Sequence, residues 1–409
     1  MAPLKILICG GGCAGPALAL FLARSGHQVV VVERFPVLRA QGAQIDLRGQ
    51  GIETVRRMGL LKTIRDACVG EGGACCVNAQ GEVIATSMAN TSGQGAQTLT
   101  SEYEIMRGDM VRTLYDATKD NVQYIFGKSV EHFEQDGNGV TVHFSDNTSD
   151  TFDLLVGADG QNSRIRKAIL PPNGPDPYRR MGIYIAYFFI PRRETDNNMV
   201  NVYFCPGSRL IFRRSPESSE TGVYLMFRDD SPELHSISKA SVEQQKAFFA
   251  QRFRGAGWEM DRFLEEMKTA DDFFCHECVQ IRTDTWHKDR VVLLGDAGYC
   301  PSPFSGMGTT VGVVGAYVLA GEISRNPDNL PLALENYDKT LRPFITEVQK
   351  INPTYIRLFM PESRWGVAII QWIVWLLCLL HVPSILARFA PEEEGGWKMP
   401  DYPSLNSVA

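Results

Sequence analysis

The sequence predicts an α/β protein with three parts: a Rossmann-like domain, an antiparallel-sheet domain inserted into it, and a C-terminal helical segment. Three observations favour this fold class. An apolar strand at residues 6–9 runs into a glycine-rich turn and then a helix. Short aromatic-rich strand candidates, separated by Gly, Pro, Ser and Asn, fill residues 177–276. An uncharged apolar stretch follows at residues 365–382.

The glycine-rich turn has the spacing of a dinucleotide-binding fingerprint, with Gly10, Gly12 and Gly15 at its three positions and Ala14 before the last. The first glycine permits the tight turn, the second lets the backbone approach a diphosphate, and the third lets the helix pack against the strand. The helix at residues 16–25 presents unpaired N–H groups and the positive end of its dipole to that diphosphate. The turn therefore predicts one half of a dinucleotide site.

A second apolar strand, at residues 28–32, ends in Glu33 and Arg34. Glu33 comes 18 residues after Gly15, at a position where a carboxylate can accept hydrogen bonds from ribose hydroxyls. A lone glycine pattern would be a weak signal. The complete unit of strand, turn, helix and second strand with a terminal acid is a specific one.

Two later segments repeat the arrangement of a buried strand that ends in an acid and leads into a helix. Asp159 follows the strand at residues 153–157, and Asp296 follows the strand at residues 291–295. A proline- and glycine-rich loop after Asp296 then leads into a further helix. Carboxylates at the carboxyl edge of a sheet accept from sugar hydroxyls, and the N–H groups of a helix start suit a phosphate or a ligand carbonyl.

Composition restricts the class of protein. The chain has 409 residues, of which 44% are hydrophobic and 22% charged, and this is typical of a globular protein with an ample core. A net charge of −6 and a pI near 5.7 argue against nucleic acid as a partner, which would need a basic face. The first strand begins near residue 4, which leaves no room for a cleavable signal peptide, and the ten scattered cysteines favour free thiols. We therefore expect a cytoplasmic protein.

The stretch from Trp365 to Val382 carries no formal charge at neutral pH and is interrupted only by Gln371 and His381. Its 18 residues reach only the lower limit for a membrane span. Three tryptophans suit the membrane–water interface. The pattern favours a helix that is buried between domains, or that lies peripherally on a membrane, over a transmembrane helix.

These three motifs, in this order and spacing, resemble the single-component (class A) FAD-dependent aromatic monooxygenases, which share the fold of p-hydroxybenzoate hydroxylase. The resemblance covers residues 4–345 and is closer to the tetracycline-inactivating branch than to the phenol hydroxylases. It implies FAD as the cofactor and NAD(P)H as the co-substrate. It also implies that a flavin hydroperoxide transfers one oxygen atom from O₂ to an aromatic or polycyclic small molecule.

The resemblance further implies which residues contact FAD. They come from the three motifs, from the loop at residues 42–47 and from the start of a helix: Gly10, Gly12, Ala14, Gly15, Glu33, Arg34, Gln44, Asp46, Arg107, Asp159, Asp296, Pro303, Gly306, Gly308, Thr309 and Thr310. The first motif would hold the ADP half, Asp296 the ribityl chain, and the loop after Pro303 the isoalloxazine. Asp159 would serve both FAD and NAD(P)H. Tyr299 departs from the family pattern, which has a histidine there.

Four residues on the aromatic-rich strands, Phe204, Arg213, Tyr224 and Met226, are candidates for the roof of a substrate pocket. Ordinary sheet packing explains them equally well. No catalytic side chain is predicted, because in this class the cofactor carries the oxygen chemistry. The single CxxC, at residues 275–278, has no partner pair, so no metal site is predicted.

The predicted division of the chain is a discontinuous FAD-binding domain (1–75, 100–176 and 277–345), a substrate-binding sheet domain (76–99 and 177–276) and a C-terminal helical segment (346–409). The expected partners are a small substrate and O₂, with peripheral membrane contact through residues 365–382 left open. The expected state is a monomer or a weak dimer. Two alternatives also stay open: a flavin reductase of the same fold that acts on an apolar or isoprenoid substrate at a membrane surface, and a non-catalytic flavin-binding protein.

Overall fold

The computed structural model describes residues 3–89, 103–215, 219–380, 382 and 396–406. Parts of the predicted ranges 76–99, 100–176 and 346–409, and His381 of the apolar stretch, lie outside these residues. The strands of the described residues are β1 (Lys5–Cys9), β2 (Gln28–Glu33), β3 (Gln44–Asp46), β4 (Gly73–Val77), β5 (Val83–Met88), β6 (Glu104–Met106), β7 (Gln123–Phe126), β8 (Val130–Gln135), β9 (Val140–Phe144), β10 (Ser149–Phe152), β11 (Leu154–Gly157), β12 (Tyr178–Pro191), β13 (Val200–Cys205), β14 (Arg209–Arg214), β15 (Glu220–Arg228), β16 (Phe273–Ile281), β17 (His287–Lys288) and β18 (Val291–Leu293). The α-helices are α1 (Ala14–Arg24), α2 (Gln50–Arg57), α3 (Leu61–Asp66), α4 (Arg107–Asp116), α5 (Arg164–Ile169), α6 (Val242–Phe253), α7 (Met260–Thr269), α8 (Asp296–Tyr299), α9 (Gly308–Arg325), α10 (Leu330–Val348), α11 (Pro353–Leu358) and α12 (Arg364–Leu379).

The first sheet, in the described residues, has the strand order β17-β18-β11-β1-β2-β7 and is parallel except for its β17–β18 edge. Consecutive residues of its central strand, Ile6, Leu7 and Ile8, are all fully buried. Because neighbouring side chains of a strand point to opposite faces, both faces of this sheet are covered, as expected of a parallel sheet. α1 packs against β1, β2 and α9, and α9 packs against α10. The predicted Rossmann-like architecture is confirmed.

The second sheet has the order β16-β12-β15-β14-β13-β4-β5 in the described residues. The aromatic-rich strands predicted within residues 177–276 form β12 to β15 and pair antiparallel, as expected. The β13–β4 pair is parallel, which differs from the prediction of an antiparallel sheet. A parallel pair needs a long crossover between its strands, and here the chain passes through the first sheet between β4 and β13.

The two faces of the second sheet have different neighbours. Its outer face packs against α6 and α7 through side chains such as Phe227, Phe249 and Phe263. Its inner face carries a separate apolar cluster that includes Met226 and Phe304, the latter from the loop that follows α8. Because side chains alternate along a strand, every second residue of each strand lies on the same face of the sheet.

A two-stranded antiparallel ribbon lies between the sheets. β3 and β6 form it, with Gln44 opposite Met106 and Asp46 opposite Glu104. Arg107, the first residue of α4, follows β6 directly. We refer to this feature as the β3–β6 ribbon.

The apolar stretch from Trp365 forms α12. The sequence favoured a helix buried between domains or peripheral to a membrane; the exposure of α12 argues against burial, and membrane contact stays a prediction. One stripe of the helix, including Val367 and Val374, packs on the inner face of the second sheet, near β5 and β13. The remaining apolar side chains are exposed, among them Trp365 (82% exposed), Trp372 and Trp375. The helix is apolar around its whole circumference, and a sheet covers only one stripe of such a helix. Of the helices in the described part of the chain, none combines the length and the apolar character that a membrane crossing requires.

The proposed domain ranges remain a prediction. Two strands of the second sheet run across predicted boundaries: β4 spans the boundary at residues 75/76 and β16 spans the boundary at residues 276/277. The ranges therefore describe the course of the chain only approximately at these two points.

Candidate cofactor cleft

A cleft of about 610 Å³ opens at the carboxyl ends of β1, β2, β11 and β18. Ligands of open α/β sheets bind at this edge. The predicted residues that line it come from all three motifs: Gly10, Gly12, Ala14, Glu33, Arg34, Arg107, Asp159, Asp296, Pro303, Gly308 and Thr309. The remaining predicted residues lie outside its lining: Gly15, Gln44, Asp46, Gly306 and Thr310.

The glycine turn can take only glycine at its first and third positions. Gly10 has φ +120°, and a Cβ there would lie 2.3 Å from the carbonyl oxygen of Ala158. A Cβ on Gly15 would lie 2.1 Å from the carbonyl oxygen of Gly10, so this glycine serves the packing of α1 against the turn. Gly12 is different, because a Cβ there would meet only the Arg107 guanidinium at 3.4 Å. The turn is thus open towards the cleft, which fits close approach of a dinucleotide diphosphate.

Glu33 ends β2 and is held inside the turn. Its Oε2 accepts from the Gly11 N–H at 2.8 Å, and its Oε1 accepts from the Phe35 N–H at 3.1 Å. Each carboxylate oxygen keeps a further lone pair for a hydroxyl donor. The carboxylate is therefore oriented by the backbone and can still accept from a ribose.

Three arginines line one side of the cleft without a carboxylate partner among the described residues: Arg34, Arg39 and Arg107. Arg107 donates to the carbonyl oxygen of Gln41 at 2.8 Å. Arg39 lies between the rings of Phe35 and Phe274, 4.7 Å from each ring centroid. Burial, and then the neighbouring guanidinium groups, lower the pKa of Arg39. This side of the cleft is positive and suits phosphate groups.

Two acids close the other side of the cleft. Oδ2 of Asp159 accepts from the Arg164 N–H at 2.7 Å, while its Oδ1 is buried and has no hydrogen-bond partner in the described part of the chain. Asp296 begins α8 and lines the cleft with an exposed side chain, and desolvation by the surrounding protein raises its pKa. A buried carboxylate oxygen without a partner requires a donor. Hydroxyl groups of a ribityl or ribose chain are suitable donors.

The loop after α8 reaches the cleft with Pro303 and then with Gly308 and Thr309, the first residues of α9. Nothing lies within 4 Å of a Cβ placed on Gly308, so this helix start is open to a ligand. Thr310 was predicted to contact the flavin, but its hydroxyl is buried and accepts from the Arg48 N–H at 3.0 Å. This hydrogen bond connects the residues before α2 to α9.

The four candidate substrate residues divide between the two faces of the second sheet. Phe204 and Met226 lie in the inner apolar cluster, together with Phe304. Tyr224 also lies on the inner face, near Gln44 and Arg214. Arg213 does not belong with them. It lies on the outer face, where it pairs with Asp196 and Glu259. The preceding residue on β14, Phe212, lies opposite Tyr224 on the inner face, and adjacent residues of a strand point to opposite faces.

Several cleft residues were not predicted. Arg39, Lys128 and His276 all line the cleft, and burial lowers the pKa of His276. Arg39 and Lys128 come from segments without a recognisable motif, and His276 lies inside the CxxC, which was considered only for metal binding. Only the sheet pairing that brings β16 beside β12 places His276 there.

Metal ligation was not predicted, and the CxxC does not provide it. Cys275 and Cys278 pack in apolar clusters on opposite faces of the second sheet, as residues three apart on a strand must. The described residues do contain one group with metal-ligand chemistry, on the β8–β9 hairpin. His132, Glu134 and His143 offer ligand atoms within 4.8 Å of one another, at a largely exposed position.

Comparison with known proteins agrees with this geometry. The family model described as FAD binding domain matches residues 3–348. The FAD-dependent monooxygenase asL4 of Sarocladium schorii is 40% identical over 427 residues, with 99% of each chain covered. The flavin-dependent monooxygenase eupH of Phoma sp is 40% identical, with 98% of each chain covered.

Among solved structures, tetracycline destructase Tet(51) is similar, with a TM-score of 0.80 and 29% identity over 98% of this chain and 100% of that one. The matched family covers more than three quarters of the chain, and these relatives span nearly all of it. The cofactor is FAD, and the reaction requires O₂ and a small substrate. The chain belongs to the family of FAD-dependent monooxygenases.

Proposed function

We propose that this monooxygenase uses NAD(P)H to reduce its cofactor and inserts one oxygen atom from O₂ into an aromatic or polycyclic small molecule. The observation that carries the proposal is the position of the inner apolar cluster, which includes Phe204 and Met226. The cluster contains Phe304, and the preceding residue, Pro303, lines the cofactor cleft. An apolar face of the second sheet thus adjoins the cleft.

The residues of the cleft have separate roles in this proposal. Gly12, the start of α1 and Arg107 hold the diphosphate, and Glu33 holds the adenosine ribose. Asp296 accepts from the ribityl hydroxyls, and the start of α9 faces the isoalloxazine. FAD, when bound, supplies the redox chemistry: it accepts electrons from the nicotinamide and activates O₂.

In this proposal the apolar face has two roles that depend only on the protein. It orients a flat apolar substrate against the cofactor, and it excludes water that would divert the activated oxygen. The likeness to a tetracycline destructase supports a polycyclic substrate. The relatives named as monooxygenases favour oxygen insertion over the reductase alternative.

The exposed face of α12 supports peripheral membrane contact as part of this proposal. Trp365, Trp372 and Trp375 are exposed apolar side chains that suit a lipid headgroup region. A substrate that partitions into lipid would then be taken up near the inner apolar cluster, against which α12 packs. The alternative for this face is the contact of a weak dimer.

The test follows flavin absorbance anaerobically with NADPH or NADH across a panel of phenolic and polycyclic compounds. We expect one class of compound to accelerate bleaching. Mixing with ¹⁸O₂ should then give a product that carries one labelled oxygen by mass spectrometry. FAD that bleaches without label in any product would contradict oxygen insertion. FAD that neither nicotinamide nucleotide reduces would contradict the single-component mechanism.

A further inference from the structure

Five charged side chains meet where the β3–β6 ribbon contacts the inner face of the second sheet. We call them the inner cluster: Asp46, Arg48, Glu71, Glu104 and Arg214. Arg214 bridges two acids, because its Nε donates to Glu71 at 2.9 Å and its Nη2 lies 2.5 Å from Glu104. The side chains of Glu71 and Glu104 are only 1% and 4% exposed. Arg48 pairs with Asp46 at 3.2 Å.

The charges of the inner cluster do not balance. Among the described residues, three carboxylates face two guanidinium groups, and the other polar groups against them, Gln44 and Tyr224, are neutral near pH 7. A buried excess charge is costly, and binding a proton removes it. Burial raises the pKa of Glu104 to about 8, since the charges of Asp46 and Glu71 and the loss of solvent together outweigh the opposing effect of Arg214.

The inner cluster fastens the β3–β6 ribbon to the second sheet. Gln44 at the start of the ribbon donates through its side chain to Glu71 at 3.3 Å, and Tyr224 lies beside its backbone. The ribbon presents Ile45 to the cofactor cleft, and Arg107 follows it directly. The position of two cleft residues thus depends on contacts made by the inner cluster.

We propose that Glu104 is a positioning residue for the monooxygenase reaction: a proton held on it lets the inner cluster keep the β3–β6 ribbon, with Ile45 and Arg107, in place against the cofactor. Loss of that proton leaves an unbalanced negative charge beside Asp46 and Glu71. Repulsion then loosens the ribbon and weakens the contact of Arg107 with FAD. The inference rests on the proposed FAD contact of Arg107.

The primary test is the dissociation constant of FAD, measured by quenching of flavin fluorescence from about pH 6 to about pH 9.5. In the wild type we expect the constant to rise by up to roughly tenfold per pH unit at the alkaline end. Glu104→Gln mimics the protonated acid, so its constant should stay low and flat. Glu259→Gln, on the outer face of the same sheet, is the matched control and should follow the wild type. A Glu104→Gln profile that follows the wild type would overturn the proposal.

A second variant covers the case in which Glu104→Gln fails to fold. Glu104→Asp retains a titrating acid and should keep an alkaline transition. A flat wild-type profile would overturn the inference by itself, with no variant needed. The outcome is separable from the proposed function. Oxygenation of a compound together with pH-independent FAD binding contradicts only the role of Glu104, whereas a Glu104-dependent transition without oxygenation contradicts only the function.

Discussion

Two buried charge clusters lie on opposite faces of the second sheet, and only one of them is balanced. The outer cluster joins Asp196 and Glu259 to Arg213 and Arg262, so two acids meet two guanidinium groups. Although burial opposes it, hydrogen bonds, chiefly from Arg262, lower the pKa of Asp196 to about 2. In the part of the chain that the structure describes, the inner cluster has one more carboxylate than guanidinium groups.

The difference separates a structural network from one coupled to the cofactor. The outer cluster joins the β12–β13 connection to α7, far from the cleft lining, and every charge has a counter-charge. The inner cluster lies between the sheet and a ribbon that reaches the cleft. A buried network with balanced charges stabilises the fold over the ordinary pH range. In a network with unbalanced charges, the geometry depends on whether one of its groups is protonated.

The largest expected effect comes from breaking the outer cluster with Asp196→Ala. The change leaves two buried guanidinium groups with only Glu259 between them, and the free energy of unfolding should fall by about 3 to 5 kcal/mol. Urea titration measures the loss. At a temperature where the variant is folded, FAD affinity should keep its wild-type pH dependence. A lost pH dependence would show that the two clusters are coupled.

The next effect is the dependence of stability on pH through Glu104. Because the folded-state pKa of this acid is raised, its stabilisation is complete below its unfolded pKa and is lost as the pH rises through about 8. Relative to Glu104→Gln, the wild type should lose stability as the pH rises from about 5 to about 8, by up to about 1.4 kcal/mol per pH unit. Denaturant titrations of both proteins across this range provide the difference. A constant difference would refute the raised pKa.

A smaller effect distinguishes the two neighbouring arginines. Arg214→Lys and Arg213→Lys each keep the charge but lose the fork geometry that spans two acids, and each should cost about 2 kcal/mol. Only Arg214→Lys should also weaken FAD binding, because only Arg214 supports the ribbon. Equal FAD affinities in the two variants would remove the functional distinction between the faces.

The smallest effect compares two tyrosine hydroxyl groups. Tyr224→Phe removes a half-buried hydroxyl that lies beside Arg214 and the Gln44 backbone, and it should cost about 1 kcal/mol. The hydroxyl of Tyr184, in the outer apolar cluster, is buried without a hydrogen-bond partner among the described residues, so Tyr184→Phe should be neutral or slightly stabilising. Thermal unfolding of both variants tests the pair. A larger loss in Tyr184→Phe would reverse the expected order.

The cleft could be predicted from the sequence because each of its motifs is local. Gly10, Gly12 and Glu33 belong to one strand-turn-helix-strand unit, and Asp296 directly follows a strand of the same sheet. Hydrophobic periodicity and turn chemistry specify such units within about thirty residues. The residues that line the cleft therefore include most of those the motifs indicated.

The inner cluster could not be predicted in this way. Asp46, Glu71, Glu104 and Arg214 come from four separate segments, and only the pairing of β3 with β6 and of β14 with its neighbours brings them together. The same limit explains Arg213, because a shift of one position on a strand reverses the face of every side chain. The exposure of α12 could not be predicted from the sequence either, since a helix that is apolar on all sides does not indicate which stripe is covered.

The exposed face of α12 also determines the intrinsic fluorescence of this protein. Three of its six tryptophans, Trp365, Trp372 and Trp375, lie there in water. Intrinsic fluorescence should therefore be dominated by solvated indoles and should respond weakly to events in the cofactor cleft. A blue shift of that emission at constant flavin signal would mark α12 being covered by a vesicle or a second copy of the chain. Tryptophan fluorescence and flavin fluorescence thus report on different parts of the molecule.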